Sequence, residues 1–296
     1  MILFEKEIAN KNELNEPLVS VAVISYNSAE TIIETLVSIK NQTYNNIELI
    51  ISDDCSSDST KDLVLSWIND NCERFVRSVF IEEEHNTGVT KNCNRAYKAA
   101  KGIFIKDIAA DDVLLPNYVQ DCIDFLQVNP NVNVLYTKAR DFIKVDGDLS
   151  SSKQDYSFFD LKTVDEQKNY LINHGVPRVP TPTVIYRLST IQKLGYFDER
   201  IPMWEDGPMT FKLIDSGEVL HLLDKIDVLI RVRDNSLSHS LSVSHMKSQA
   251  LFFKYYETKY KDKKSKLRFE LRRIKMFFYY HSNVTICKKI VTLLEK

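Results

Sequence analysis

The sequence predicts an α/β protein: a Rossmann-like, mostly parallel central sheet flanked by helices, followed by a basic helical tail. Three observations carry that expectation. Runs of β-branched and aliphatic residues alternate with segments whose apolar residues recur at helical spacing. The joints between them are short and polar, and strands separated by helices of this length are linked by right-handed crossovers. At 296 residues the chain suits one large domain with an appendage, because single cores stop growing near ~250–300 residues.

The elements follow in order. Leu18 to Ser25 is almost continuously β-branched or aliphatic, as a strand buried on both faces should be. Ser28 can cap a helix carrying Ile32, Ile33, Leu36, Val37 and Lys40. Ile47 to Ser52 is the next strand, and Asp58 caps a helix with Leu63, Val64, Trp67 and Ile68 on its inner face. Ser78 to Glu82 is a third strand. Thr90 to Ala100 is helical with Gly102 as its stop, Ile103 to Ile108 is a fourth strand, and Leu114 to Gln127 is a helix with Pro116 in its first turn. Beyond Phe142 the pattern loosens. Val145 to Tyr156 reads as a loop and Val176 to Pro182 is too proline-rich for a helix interior. Thr183 to Tyr186 reads as a strand, Gly207 to Ile214 as a helix, and Val219 to Arg233 as at least one further strand. The organisation expected is a lead-in (1–16), a nucleotide-binding α/β half (17–130), a second half of the same domain (131–248) and a tail (249–296).

Composition narrows the function. The seven glycines stand alone, which excludes both the GxGxxG dinucleotide fingerprint and the Walker A loop. Five cysteines without a C-x-x-C fit reduced thiols, not a disulfide framework or a zinc site. No secretion signal and no apolar run of ~18 residues is present, so a cytoplasmic chain that does not cross a membrane is expected. His239 and His245 in a Ser-rich segment read as solvated loop.

Ligands of such sheets sit outside the carboxyl ends of the strands, and two of those ends are acidic. Asp53 and Asp54 close the second strand, where adjacent carboxylates repel unless a donor, a cation or a ligand separates them; a solvated turn is the alternative. Asp111 and Asp112 close the fourth strand, suited to a hard divalent cation or, for Asp112, to capping the next helix. A third cluster, Trp204-Glu205-Asp206, can cap the helix that follows it and becomes catalytic only if the fold carries it to the same crevice.

The ordered set Val21-Ala-Val-Ile-Ser-Tyr-Asn27, Gln42-Thr43, Glu48 to Asp54 with Ser-Ser-Asp58, Asn86-Thr-Gly88, Asn94, Ala100-Lys-Gly102, Ala109 to Asp112 with Pro116, and Phe197-Asp-Glu199 with Trp204-Glu-Asp206 resembles the inverting family-2 glycosyltransferases of the GT-A fold. The resemblance spans roughly residues 17 to 242. It implies transfer of one sugar from a nucleotide-sugar, favouring UDP, to a saccharide acceptor, with bacterial surface polysaccharide assembly as the setting. On that resemblance Asp206 is the general base with Glu205 as runner-up, and Ser25, Tyr26, Asn27, Asp53, Asp54, Asn94, Asp111 and Arg233 bind the donor. Tyr26 would stack on the nucleobase and Asp54 would accept the uracil N3–H. Asp111, with Asp112, would hold Mn²⁺ or Mg²⁺. Ala109 departs from the family's D-x-D, and Asp234 stands where a histidine is common. A nucleotidyltransferase is disfavoured because Ser25-Tyr-Asn-Ser28 is neither glycine-rich nor basic; an inactive saccharide-binding scaffold is the rival that Ala109 favours.

The tail carries a different charge. From Lys254 to Lys296 there are 13 Lys+Arg against 4 Asp+Glu, whereas the preceding residues carry 26 against 37. Between Lys264 and Tyr280, Leu267, Leu271, Ile274 and Phe278 form one helical stripe, beside Lys264, Arg268, Arg272 and Lys275. Such a helix either packs on the domain or lies on an anionic inner leaflet, which would suit a lipid-linked acceptor. Nucleic acid is not expected, since no stacking platform accompanies the charge.

Overall fold

The computed structural model describes residues 2–7, 16–142, 149–150, 154–177, 179–232 and 243–259. The strands are β1 (Ile2–Glu7), β2 (Val19–Ser25), β3 (Ile47–Asp53), β4 (Arg77–Glu82), β5 (Phe104–Ala109), β6 (Val113–Leu114), β7 (Val134–Phe142), β8 (Leu149–Ser150), β9 (Val184–Arg187) and β10 (His221–Arg231). The helices are α1 (Ile32–Lys40), α2 (Thr60–Asn71), α3 (Val89–Ala99), α4 (Tyr118–Val128), α5 (Val164–His174), α6 (Leu188–Lys193), α7 (Asp206–Asp215) and α8 (Val243–Tyr255). All ten strands belong to one sheet of order β1-β4-β3-β2-β5-β9-β7-β10-β6, with β8 on β7.

The parallel character expected from the βα alternation holds for β4-β3-β2-β5. Alternate residues of these strands enter opposite cores: Val21 and Leu49 pack with Leu36 and Ile68, while Ala22 and Ile50 pack with Ala96 and Tyr97. Burial on both faces is why these strands read as unbroken apolar runs. The second half mixes directions. β9 runs antiparallel to both β5 and β7, and β7 runs parallel to β10. The carboxyl ends of β7 and β10 therefore share the edge where β2, β3, β4 and β5 end, and the start of β9 lies on it too. Register pairs Ser25 with Asp53, Asp53 with Glu82 and Ile24 with Ala109, so the first four strand ends stand abreast.

Several boundaries differ from the sequence reading, each for a physical reason. The lead-in contains a strand: β1 pairs antiparallel with β4 and covers its edge. Gly102 is not a helix stop. A Cβ there would lie 2.5 Å from Ser20 Oγ, because the Gly102 N–H donates to Ser20 Oγ and Glu48 Oε1. Leu114 lies in β6, and α4 begins after Pro116, at Tyr118. Helix α5 is marked by a capping box, Thr163 with Glu166, in a segment the sequence left unassigned. The division expected at residue 248 falls inside α8, whose Phe252, Phe253 and Tyr256, just past its end, are buried. His245 lies on that helix, while His239 and the Lys264–Tyr280 stripe lie outside the described residues.

Candidate active site

The crevice edge is built first by the ends of β2 and β3. Asp53 is fully buried and accepts from Ser25 Oγ (2.6 Å), Ser56 N–H (2.7 Å) and Ser56 Oγ (2.6 Å). Asp54 accepts four bonds: Thr87 Oγ1 (2.6 Å) and Arg95 Nη2 (2.8 Å) on Oδ1, and the Thr87 (2.9 Å) and Gly88 (2.7 Å) amides on Oδ2. A carboxylate offers about four lone-pair sites, so Asp54 is saturated from within. The repulsion that suggested a ligand is resolved by the protein itself, chiefly by Arg95, which the sequence reading missed. Its one signal was a lone arginine on the helix that starts at this edge. Asn27, at φ 49°, clasps the same loop by accepting from the Ser57 amide (2.8 Å) and donating its own N–H to Ser56 Oγ (2.7 Å). Tyr26 is half exposed at the mouth of the crevice.

The second portion joins the ends of β5 and β10. Asp111 is partly exposed. Its backbone carbonyl accepts from Arg231 Nε (3.0 Å), and the Arg231 guanidinium also pairs with Glu34 and lies 4.5 Å from the Phe142 ring centre. Asp112, expected beside it as a metal ligand, is turned inward: it is buried, and its Oδ1 accepts the Arg231 backbone N–H (3.0 Å). With Ala109 in place of an acid, no group of three His, Cys, Asp or Glu gathers among the described residues. The residues fit a hard cation through one carboxylate, Asp111, with substrate oxygens completing its shell.

The third portion is the loop before α7. Asn94 is a clamp on this loop: buried in α3, it donates to the Phe197 carbonyl (3.0 Å) and Glu199 Oε1 (2.9 Å) and accepts the Phe197 N–H (2.9 Å). At the start of α3, Thr90 Oγ1 donates to the Ile201 carbonyl (2.7 Å) and Thr90 N–H to the Pro202 carbonyl (3.3 Å). Gly88 makes that approach possible, with φ +90° and a would-be Cβ 3.2 Å from the Pro202 oxygen. These contacts tie the loop that leads to Glu205 and Asp206 to the start of α3, and Thr181, just before β9, donates to Asp206. Arg233 lies outside the described residues.

Glu205 and Asp206 are partly buried at the head of α7. Burial, then repulsion from Asp206 and Asp107, holds the Glu205 carboxyl well above the usual carboxylate range. Burial raises Asp206 as well, but hydrogen bonds from Thr181, the Gly207 amide and Trp204 pull against it. A carboxyl raised on folding keeps a proton that the unfolded chain releases, so its stabilising contribution is present at acid pH and lost as pH rises through the folded value. Glu205→Gln mimics the protonated form at every pH. Its melting temperature is expected to exceed the parent's by a few degrees at pH 8, with the gap closing toward pH 5; a gap independent of pH in thermal denaturation would show that Glu205 is not so held.

Known proteins resemble this chain over much of its length. The family model "Glycosyl transferase family 2" matches residues 20–194, more than half of the chain. An Escherichia coli UDP-Glc:α-D-GlcNAc-diphosphoundecaprenol β-1,3-glucosyltransferase, WfaP, is 33% identical over 223 residues, covering 75% of this chain and 80% of its own. An uncharacterized glycosyltransferase of Methanocaldococcus jannaschii is 26% identical over 258 residues, covering 85% and 82%. Other relatives are longer: the match spans 60% of an uncharacterized glycosyltransferase of Rickettsia prowazekii. Among solved structures, S. aureus TarS 1–349 with UDP-GlcNAc superposes with a TM-score of 0.64 at 22% identity, over 88% of this chain and 79% of that one. A Pyrobaculum calidifontis mannosyltransferase with GDP-Man and Mn²⁺ gives 0.56 at 18%, over 75% and 59%.

Proposed function

The chain belongs to glycosyl transferase family 2, and from that premise we propose that it moves one sugar, with inversion, from a UDP-sugar to a saccharide acceptor in surface polysaccharide assembly. The observation that carries the reading is the Glu205–Asp206 pair at the head of α7, with its leading loop bonded to the start of α3 and Asp206 itself bonded by Thr181 just before β9. The names of WfaP and of the TarS complex support UDP as the nucleotide, and that of WfaP supports a lipid-linked acceptor.

Tyr26, exposed past β2, is the stacking face for the base. Arg95 and Asp54 form a rigid wall of that subsite; the saturated Asp54 shapes it instead of accepting from uracil, which departs from the role the resemblance implied. Asp206 takes the proton of the acceptor hydroxyl as its O–H bond breaks. The oxygen's electron pair forms the new bond to C1, and the C1–O bond to the diphosphate breaks with its pair leaving on the nucleotide. Attack from the side opposite the leaving group inverts C1. A Mn²⁺ or Mg²⁺ ion at Asp111, when bound, neutralises the diphosphate and stabilises it as leaving group. Among the described residues no helix is long and apolar enough to cross a membrane. We place the enzyme at the cytoplasmic face, in peripheral contact with anionic lipid through its basic tail, where a lipid-linked acceptor would lie.

Nucleotide release across a panel of sugar nucleotides tests the activity. Within that assay Asp111→Ala is expected to abolish the stimulation of UDP binding by Mn²⁺, read by titration calorimetry, while metal-free binding changes by less than ~3-fold. Undiminished metal stimulation in this variant would move the cation away from Asp111.

A further inference from the structure

The Asp206 carboxyl is held partly from outside its own helix. Thr181 Oγ1 donates to Oδ2 at 2.6 Å and the Gly207 N–H to Oδ1 at 2.7 Å, and the Trp204 side chain donates to the same carboxyl. Gly207 leaves room for that indole: a Cβ there would lie 3.0 Å from Trp204 Cε2. Glu205 makes no side-chain cap bond although it stands at the N-cap. The two neighbouring acids are thus treated differently, three donors converging on one of them.

Thr181 comes from a separate and stiff segment. Pro180 and Pro182 fix φ on either side of it, and the Pro180 carbonyl accepts both the Thr183 N–H (3.2 Å) and Thr183 Oγ1 (2.7 Å). This turn leads into β9, whose start lies on the crevice edge because β9 runs against β5 and β7. The hydroxyl is therefore delivered by the sheet, independently of α7.

We propose that Thr181 is a positioning residue for sugar transfer: its hydroxyl, braced by the proline turn, fixes the Asp206 carboxylate, and not Glu205, as the acceptor of the proton. The inference rests on reading Asp206 as the base. Among the described residues, the other titratable groups acting on the pair are Asp107 from β5 and Cys93 from α3 on Glu205, and Tyr136 from β7 and Tyr186 from β9 on Asp206. None of these is a cation, so among the described residues donated hydrogen bonds are what set the two acids apart.

A donor to a carboxylate favours its ionised form. Removing one should move the acid limb of kcat/KM to higher pH while sparing the plateau, where Asp206 is ionised anyway. The experiment is the pH profile of nucleotide release, from pH 5 to 9, for the full chain and for Thr181→Val, Thr181→Ser and Asp206→Asn. Thr181→Val should shift the acid limb up by roughly one pH unit, with plateau kcat/KM within about threefold of the parent and donor KM unchanged; Thr181→Ser should keep the parental limb. Thr181→Ala repeats the measurement should the valine variant not fold. A uniform loss at all pH values without rescue by serine, or an unmoved limb, overturns the proposal. Near-parental turnover in Asp206→Asn overturns the base assignment instead, so the two failures are distinguishable.

Discussion

Asp206→Asn is expected to bind UDP as the parent does and to transfer sugar at least ~10²-fold more slowly, the effect of removing a positioned carboxylate base. The substitution keeps the shape of the side chain, and the amide oxygen can still accept from the Gly207 N–H, so the head of α7 should survive. What is lost is the capacity to take a proton from the acceptor hydroxyl. Glu205→Gln should be milder, because burial and repulsion from Asp206 and Asp107 favour the protonated form of that carboxyl, whose shape and donor the glutamine amide imitates. Single-turnover rates with titration calorimetry for UDP separate chemistry from binding. Parental single-turnover rates in both variants would leave the pair a structural feature of the head of α7 and remove the carboxyl chemistry from the proposed function.

The first half of the sheet was legible because its residues answer to one demand. β2 and β3 are buried on both faces, so their apolar runs could hardly be anything else. β7 escaped notice for the opposite reason: Thr137, Lys138, Arg140 and Asp141 interrupt it, and Lys138 finds its partner Asp224 far along the chain. The acidic clusters were visible as residues but not as roles. Asp53 and Asp54 resembled a ligand site until Arg95, Thr87 and Ser56 were seen to fill their lone pairs, and in the case of Asp54 those partners lie 33 to 41 positions away. Thr181 lies 25 residues from Asp206 in a segment whose prolines advertised only irregular backbone. Hydrogen bonds of that span depend on the crossing of β9, which no local pattern encodes.

The largest expected stability effect lies at α8. Phe252 contacts Trp204 at 4.6 Å and Phe211 at 5.4 Å between ring centres, Tyr256 Oη donates to Asp198 Oδ2 (2.8 Å), and Ser248 Oγ accepts the Met203 N–H (3.2 Å). The helix thus packs directly against the 198–206 loop that presents Glu205 and Asp206. Truncating one large buried aromatic costs about 3–5 kcal/mol, against a total stability of about 5–15 kcal/mol for a domain. A chain ending at Ser248 loses Phe252, Phe253 and Tyr256 together and is expected not to fold. Phe252→Ala in the full chain should stay folded but melt on the order of 10 °C lower, at ~2–4 °C per kcal/mol for a domain of this size. It should also slow transfer more than it weakens UDP binding, since Trp204 loses its backing while the β2 and β3 ends are untouched. The membrane role of the tail is tested by a cut beyond Lys259 instead. That chain should keep its melting temperature and its turnover of a soluble acceptor, yet fail to co-sediment with anionic liposomes at low salt as the full chain does. Parental stability in Phe252→Ala would mean that α8 is not part of the core, and equal liposome binding by both chains would remove the basic tail from the membrane contact.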